Sequence, residues 1–317
     1  MELSKFIDKK PFVIAGPCSA ESEKQALKIA NDIKDNTDVF RAGIWKPRTR
    51  SNSFEGIGKE ALTWMQKVKQ KTKLKVSTEV ATAKHVELCL ESGIDMLWIG
   101  ARTTVNPFYV QEIAEALSGV DIPVFVKNPI HPELSLWIGA LERLNKKGIK
   151  NLAAIHRGFF TYESSAFRNE PKWEIPIELK RQLPNLPIIC DPSHIAGNKT
   201  LIPEISQIAM DLDMNGLMIE THNNPPEALS DSAQQITPIK LKSILENLVL
   251  RKKKFEDDIL SFELNILRKK IDKLDQNIVE TLNLRTELVE EIAQFKLENN
   301  LTIFQLERWF EILYKRR

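Results

Sequence analysis

The sequence predicts an α/β fold: a closed (β/α)8 barrel of the TIM type, followed by an all-α helical domain. Three observations lead there. Within the first 240 residues, eight short β-rich runs alternate with longer amphipathic stretches. Several of the runs are continuously apolar, as parallel strands covered on both faces are, whereas half-solvated antiparallel strands alternate. The last glycine is Gly216 and the last proline Pro238, so from Ile239 to Arg317 the pattern turns wholly helical.

The strands are expected at Phe12–Ala15, Val39–Trp45, Lys75–Thr78, Met96–Ile99, Val124–Lys127, Leu152–Ile155, Ile188–Cys190 and Leu217–Ile219. Between them, Glu23–Asp35 carries Ala26, Ile29, Ala30 and Ile33 at helical spacing, with Ser22 placed to cap it. Gly58–Gln70, Lys84–Ser92, Pro107–Leu117, Leu134–Lys147 and Leu201–Met210 follow the same logic, and 161–186 reads as an irregular loop followed by a short helix. Eight strands joined by crossovers in this length fit a closed barrel better than an open doubly wound sheet. No Gly-x-Gly-x-x-Gly follows the first strand, which argues against a dinucleotide site. Lys240–Leu250 closes the barrel. Leu264, Leu267, Ile271, Leu274, Ile278 and Leu282, continued by Leu288, Ile292 and Phe295, then form one apolar stripe of a long helix. Asn299-Asn300 breaks it, and Leu301–Tyr314 reads as a second helix. The expected division is a barrel over 1–250, a linker or continuous helix over 251–262, and helices over 263–317.

Composition narrows the function classes. The chain is 42% hydrophobic and 28% charged with a net charge of +2, so no global field draws it to nucleic acid or a membrane surface. It has neither a signal-type leader nor a run of 18 apolar residues, and Cys18, Cys89 and Cys190 form no disulfide pattern; a cytoplasmic setting is expected.

In a barrel the C-terminal strand ends share one cavity. Three of them deliver metal-type ligands: Cys18 after the first strand, His194 in Asp191-Pro192-Ser193-His194, and Glu220 at the end of the eighth, with Asp231 in the segment after it. A soft-plus-hard set of this kind suits one borderline divalent ion per barrel, Mn, Fe, Co or Zn. Other ends are cationic: Arg41 and Lys46, Arg102, Lys127 and Arg157, with Glu79 ending the third strand. Gathered at one mouth these cations repel one another unless anions compensate them, and the carboxylates and phosphates of a small ligand do so. Cys89 reads as packing, Cys190 as core or as the base of the site, and His85 as helix surface. His131 caps a turn or approaches the site, and His222 supports Glu220.

Residues 12–235 resemble the type I 3-deoxy-D-arabino-heptulosonate 7-phosphate (DAHP) synthases, especially those related to the 3-deoxy-octulosonate 8-phosphate synthases. The resemblance rests on Gly16-Pro17-Cys18-Ser19, Arg41-Ala42-Gly43 through Lys46-Pro47-Arg48-Thr49, Ile99-Gly100-Ala101-Arg102, Ile155-His156-Arg157-Gly158, Cys190-Asp191-Pro192-Ser193-His194-Ile195-Ala196-Gly197 and Ile219-Glu220-Thr221-His222 through Asp231. It implies condensation of phosphoenolpyruvate with erythrose 4-phosphate and a divalent metal on Cys18, His194, Glu220 and Asp231. It further implies phosphoenolpyruvate on Arg41, Lys46, Arg102, Lys127 and Arg157, and the aldose phosphate on Pro47, Arg48, Thr49 and Asp231. Lys46, Cys18 and His194 are the implied catalytic residues, and Lys46 and a metal-held water both remain candidates for proton donor to the new hydroxyl. The Lys-Pro-Arg-Thr motif stands where enzymes using arabinose 5-phosphate carry an Asn-containing sequence, so it favours the four-carbon aldose. Arg50-Ser51-Asn52 departs from the family's usual continuation.

Residues 264–317 resemble the AroQ-class chorismate mutases through Ile266 to Asp275, Leu284-Arg285, Ile292 to Lys296 and Glu307-Arg308. The resemblance implies that Arg268, Arg285, Lys296 and Arg308 bind chorismate, that the helices form a homodimer with Arg268 reaching the partner's site, and that the fusion serves feedback on the barrel. Arg285 and Lys296 share a helix face, and Arg268 points about a quarter turn away. Gln305 and Trp309 stand where many relatives carry acids, and the third helix of such mutases is expected to be absent from this chain.

Overall fold

In the computed structural model, the described residues are 7, 11–46, 54–163, 165–252 and 258–315. They form two compact units, Met1–Arg251 and Lys252–Arg317. The first is a closed barrel of eight parallel strands in sequence order: β1 Phe12–Gly16, β2 Val39–Arg41, β3 Lys75–Val80, β4 Met96–Ile99, β5 Val124–Lys127, β6 Leu152–His156, β7 Ile188–Cys190 and β8 Gly216–Glu220. β8 closes on β1 with Phe12 opposite Gly216 and Gly16 opposite Glu220.

The crossover helices are α1 Glu23–Ile33, α2 Glu60–Thr72, α3 Ala83–Glu91, α4 Ala101–Thr104, α5 Pro107–Ala116, α6 Leu134–Lys146, α7 Glu174–Gln182, α8 Pro192–Ala196, α9 Ile202–Asp211 and α10 Pro238–Asn247. Their starts follow local chemistry: the Ser22, Thr82 and Thr237 hydroxyls and the Asn106 and Asp191 side chains accept the first free N–H groups of α1, α3, α10, α5 and α8. β2 stops at Arg41, four residues short of the expected Trp45, because Gly43 leaves the sheet to bridge Ser19. The one-turn helices α4 and α8 are too short to show a helical period in sequence.

Two apolar layers result from the two-residue period of a strand. Side chains such as Val13, Ala15, Phe40, Leu97, Val126, Cys190 and Ile219 point outward and pack against the helices. Phe12, Ile14, Val39, Met96, Trp98, Phe125, Ile155, Ile189 and Met218 point inward and fill the barrel. Carrying the inward phase on past this filling reaches Arg41, Glu79, Lys127, Arg157, Asp191 and Glu220 at the C-terminal mouth. A charged layer thus sits directly on an apolar floor.

The second unit holds α11, Asp258–Glu298, and α12, Leu306–Lys315. α11 runs 41 residues without glycine or proline, about 60 Å of helix. α12 begins five residues later than expected at Leu301. Residues 253–257, within the expected linker, lie outside the described residues.

Candidate active site

The barrel mouth gathers both sets of strand-end residues. Ligand atoms of Cys18, Glu220 and Asp231 all lie within 4.8 Å of one another. His194 stands beside this group rather than within it, its Nε2 3.8 Å from Glu220 Oε1. Asp191 orients the imidazole: Oδ1 accepts the His194 backbone N–H at 3.1 Å, and Oδ2 lies 2.8 Å from Nδ1. With Nδ1 beside a carboxylate oxygen, Nε2 is the nitrogen left to face a cation.

Glu220 is fully buried and its charge is met from two sides. Arg41, only 1% exposed, donates to Oε1 at 3.1 Å, and Gln234 Nε2 donates to Oε2 at 2.7 Å. The other Arg41 nitrogen donates to the Cys18 carbonyl at 3.0 Å, and the guanidinium lies 5.0 Å from the centre of the Trp98 ring. Trp98 in turn donates from Nε1 to Glu79 at 3.1 Å. Lys127 pairs with Asp191 at 2.8 Å. The Cys18 thiol donates to Asp231 Oδ2 at 3.1 Å and accepts from Lys46 Nζ at 2.9 Å. Arg168 donates to Asp231 Oδ1 at 2.9 Å and to Gln234 Oε1 at 2.6 Å.

These contacts set the protonation states. Burial, with Glu220 nearby, pushes the Cys18 thiol up to about 12. Burial alone raises Glu220, Asp191 and Asp231, yet in each case the surrounding charges prevail. His194 and Arg41 hold Glu220 below the usual carboxylate range, His194 and Lys127 hold Asp191 well below it, and His194, Arg168 and Lys46 do so for Asp231. Burial holds His194 below the ordinary imidazole value despite Asp191, so the ring is neutral at pH 7. Burial opposes the charge on Lys46, but Cys18 and Glu220 outweigh it and keep the ammonium protonated. Desolvation lowers Arg157 to about 10.

A cavity of about 350 Å³ opens above this layer. Lys46, Arg102, Lys127, Arg157 and Arg168 line it, against the carboxylates of Glu79 and Asp231. Such a surplus of positive charge suits a small, multiply anionic ligand. Arg41 lies beneath the cavity rather than on its wall. Arg168 carries no role in the sequence reading, and neither do Asp191, Gln234 or Asn169. Asp191 follows the same strand-end rule that singles out its neighbours; Arg168, Asn169 and Gln234 lie where no period marks them. Pro47, Arg48 and Thr49, expected to meet the aldose phosphate, lie outside the described residues, as do Arg50, Ser51 and Asn52.

Several side readings change with the structure. His85 is half-buried rather than on the helix surface, stacked on Trp45 with ring centroids 3.9 Å apart. His222 lies 3.9 Å from Glu21 and accepts from the Asn224 N–H, so it faces away from its expected role beside Glu220. His131 meets Phe160 edge-on. Cys190 belongs to the outer core, where Cys89 also packs.

A family model described as the DAHP synthetase I family matches residues 4–256. The chain belongs to the DAHP synthetase I family. A second model, Chorismate mutase type II, matches residues 267–317, so the chain is an enzyme joining a DAHP synthase unit to a chorismate mutase unit. Among similar proteins, a phospho-2-dehydro-3-deoxyheptonate aldolase of Thermotoga maritima is 28% identical over 74% of this chain and 68% of its own length. A 2-dehydro-3-deoxyphosphooctonate aldolase of Vesicomyosocius okutanii is 27% identical over 78% of this chain and 95% of its own. The crystal structure of a Thermotoga maritima DAHP synthase superposes with a TM-score of 0.66 at 27% identity, covering 74% of this chain and 67% of that one.

In the chorismate mutase unit, the four expected ligands do not share one crevice. Lys296 lines a crevice with Gln294, Phe295 and Gln305, and its Nζ donates to the Ile303 carbonyl at 2.8 Å. Arg308 pairs with Glu311 at 2.6 Å, and Arg268 lies 3.4 Å from Asn265. The reason is geometric: on one helix Arg268 and Lys296 are 28 residues apart, about 42 Å along its axis. No described helix is long and apolar enough to cross a membrane.

Proposed function

We propose that the barrel condenses phosphoenolpyruvate with erythrose 4-phosphate and water to give DAHP and phosphate, with a divalent ion held by Cys18, His194, Glu220 and Asp231. The observation that carries this reading is the tight Cys18–Glu220–Asp231 group opening onto a cavity lined with five cations. The donor chemistry fits a cation: a buried and a partly buried carboxylate lie close to a thiol, with a neutral imidazole beside them, and a single positive centre relieves the repulsion between the carboxylates. When bound, the ion supplies Lewis-acid polarisation of the aldehyde carbonyl.

This chain's own residues do the rest. Arg102, Lys127 and Arg157 hold the phosphate and carboxylate of phosphoenolpyruvate in forked and point-charge contacts, while Arg41 below anchors Glu220. Screening of two anionic substrates lets the enol carbon approach the aldehyde carbon. The protonated Lys46 ammonium, at the junction of cavity and ligand group, is placed to give its proton to the new hydroxyl. Water then adds at C2, and phosphate leaves by C–O cleavage.

Octulosonate synthesis is a second reading, because several relatives carry the name 2-dehydro-3-deoxyphosphooctonate aldolase. Product formation from erythrose 4-phosphate and from arabinose 5-phosphate separates the two, with and without a chelator and with metal restored. The proposal requires the four-carbon aldose to be preferred and activity to vanish on chelation and return with metal. Turnover indifferent to chelation would overturn the metal assignment.

The helical unit rearranges chorismate to prephenate in a cationic pocket assembled from Arg285, Lys296 and Arg308 of one chain and Arg268 of a second. Its apolar stripe supports a homodimer: Leu267, Ile271, Leu274, Ile278 and Leu282 are each more than half exposed. The fusion supports feedback on the barrel in a cytoplasmic enzyme. Identical synthase rates with and without prephenate would reject that regulation.

A further inference from the structure

Residues 167–170 link the two halves of the barrel mouth, and Asn169 is where they meet. Its side-chain amide is engaged at both ends. Oδ1 accepts from Arg157 NH1 at 2.7 Å, and Nδ2 donates to the main-chain carbonyl of His194 at 2.6 Å. Asn169 is 6% exposed, so neither bond is readily exchanged for water. The segment is also pinned through its backbone. Asn169 N–H donates to the Ile195 carbonyl at 3.2 Å, Arg168 N–H to Ala196 at 3.3 Å, and Phe159 N–H to the Glu170 carbonyl at 2.8 Å. Two glycines with positive φ, Gly158 and Gly197, leave the room this needs: a Cβ on the first would collide with Asn169, and on the second with Arg168.

We propose that Asn169 is a positioning residue that couples the anion held by Arg157 to the cation held by His194. The inference rests on the reading above, in which Arg157 meets phosphoenolpyruvate and His194 a divalent ion. An amide is planar and rigid, so the Arg157 fork and the first turn of α8 keep a fixed separation through it. An anion that draws Arg157 into place also fixes the backbone that aims His194 Nε2, and a cation that fixes His194 presents Arg157 ready to receive the anion. By linkage the two effects are equal in size. Arg168 extends the same segment to Asp231, so one short stretch touches the anion side and two of the four metal-type residues.

The test uses the full chain and cobalt(II), whose thiolate absorption on Cys18 reports binding without turnover. Cobalt affinity is measured with and without saturating phosphoenolpyruvate. In the wild type, phosphoenolpyruvate is expected to tighten cobalt about tenfold, within the usual range of coupling between sites. Asn169→Ala removes both bonds. Asn169→Asp keeps the acceptor for Arg157 but sets a carboxylate oxygen against the His194 carbonyl. Both variants are expected to bind each ligand alone while the ratio falls below threefold, with thermal melting confirming that they fold. A structural role alone shifts the separate affinities and leaves the ratio intact. A wild-type ratio retained in whichever of the two variants folds, or a wild-type ratio of one, overturns the inference. Wild-type protein that binds no cobalt, or no phosphoenolpyruvate, instead overturns the underlying reading of the site, and the inference falls with it.

Discussion

Metal uptake at the barrel mouth should release one proton, and that proton should come from Cys18. The thiol is pushed up to about 12 by burial and Glu220, so it is protonated across the neutral range. Its three companions are already in ligating form: Glu220 and Asp231 are held ionised, and His194 is held neutral above its ordinary value of 6.5. A cation that takes the thiolate therefore displaces a single proton, and affinity rises tenfold for each pH unit. Between pH 6.5 and 8.5 that is about 100-fold, or about 2.7 kcal/mol at 1.36 kcal/mol per unit. Lys46, 2.9 Å from the sulfur, compensates the new negative charge but does not change the count, because its own pKa is raised and it keeps its proton. Titration calorimetry with manganese in buffers of different ionisation enthalpy reads protons released per ion directly, and the slope of log Kd against pH should agree with it. Cys18→Ser should bring the count to zero, since a serine hydroxyl offers its oxygen without ionising, and should weaken binding. A wild-type count near zero refutes the protonation assignments, and a count near two refutes the neutral state of His194.

Arg41→Leu should cost about 3–5 kcal/mol in denaturant unfolding, because it leaves Glu220 as a buried charge that Gln234 alone does not neutralise; a loss under 1 kcal/mol would show that the pair is not buried in solution. Asp191 is held well below the usual carboxylate range, as His194 and Lys127 outweigh its burial. Its stabilisation is thus complete above the unfolded value of about 4 and lost as pH falls toward the folded value. Asp191→Asn should accordingly flatten the acid side of the melting profile below pH 4, and an unchanged profile would count against the pairing. Replacing Ile271 and Ile278 by aspartate should convert the proposed dimer to monomer by light scattering while leaving the barrel's melting temperature in place, and an undiminished dimer would assign the interface to another surface.

The barrel was legible because two simple periods govern it. Inward and outward strand positions differ by one residue, so reading Val39 as core already places Arg41 in the mouth, and Met218 does the same for Glu220. Of the cationic wall, Lys127 and Arg157 follow from that phase, whereas Lys46, Arg102, Arg168, His194 and Asp231 lie on the loops and short helices beyond the strands. Asp191 obeys it as well, yet like Glu79 it carries no role in the sequence, because a charge beside His194 reads as part of a turn until its pairing with Lys127 and His194 is seen. β2 was overextended for the complementary reason: Ile44 and Trp45 are as apolar as strand residues, and only the bridge from Ser19 to Gly43 shows that the chain has left the sheet. Arg168 and Asn169 have no period to betray them, since the described residues between 159 and 173 are irregular. What the sequence does contain is the imprint of their docking. Gly158 and Gly197 both adopt φ values that side chains resist, and both lie against this segment. A loop without periodicity is therefore readable through the glycines it leans on: each marks a place where another stretch of chain comes too close for a Cβ. At this barrel mouth those two places flank the residue that joins Arg157 to His194.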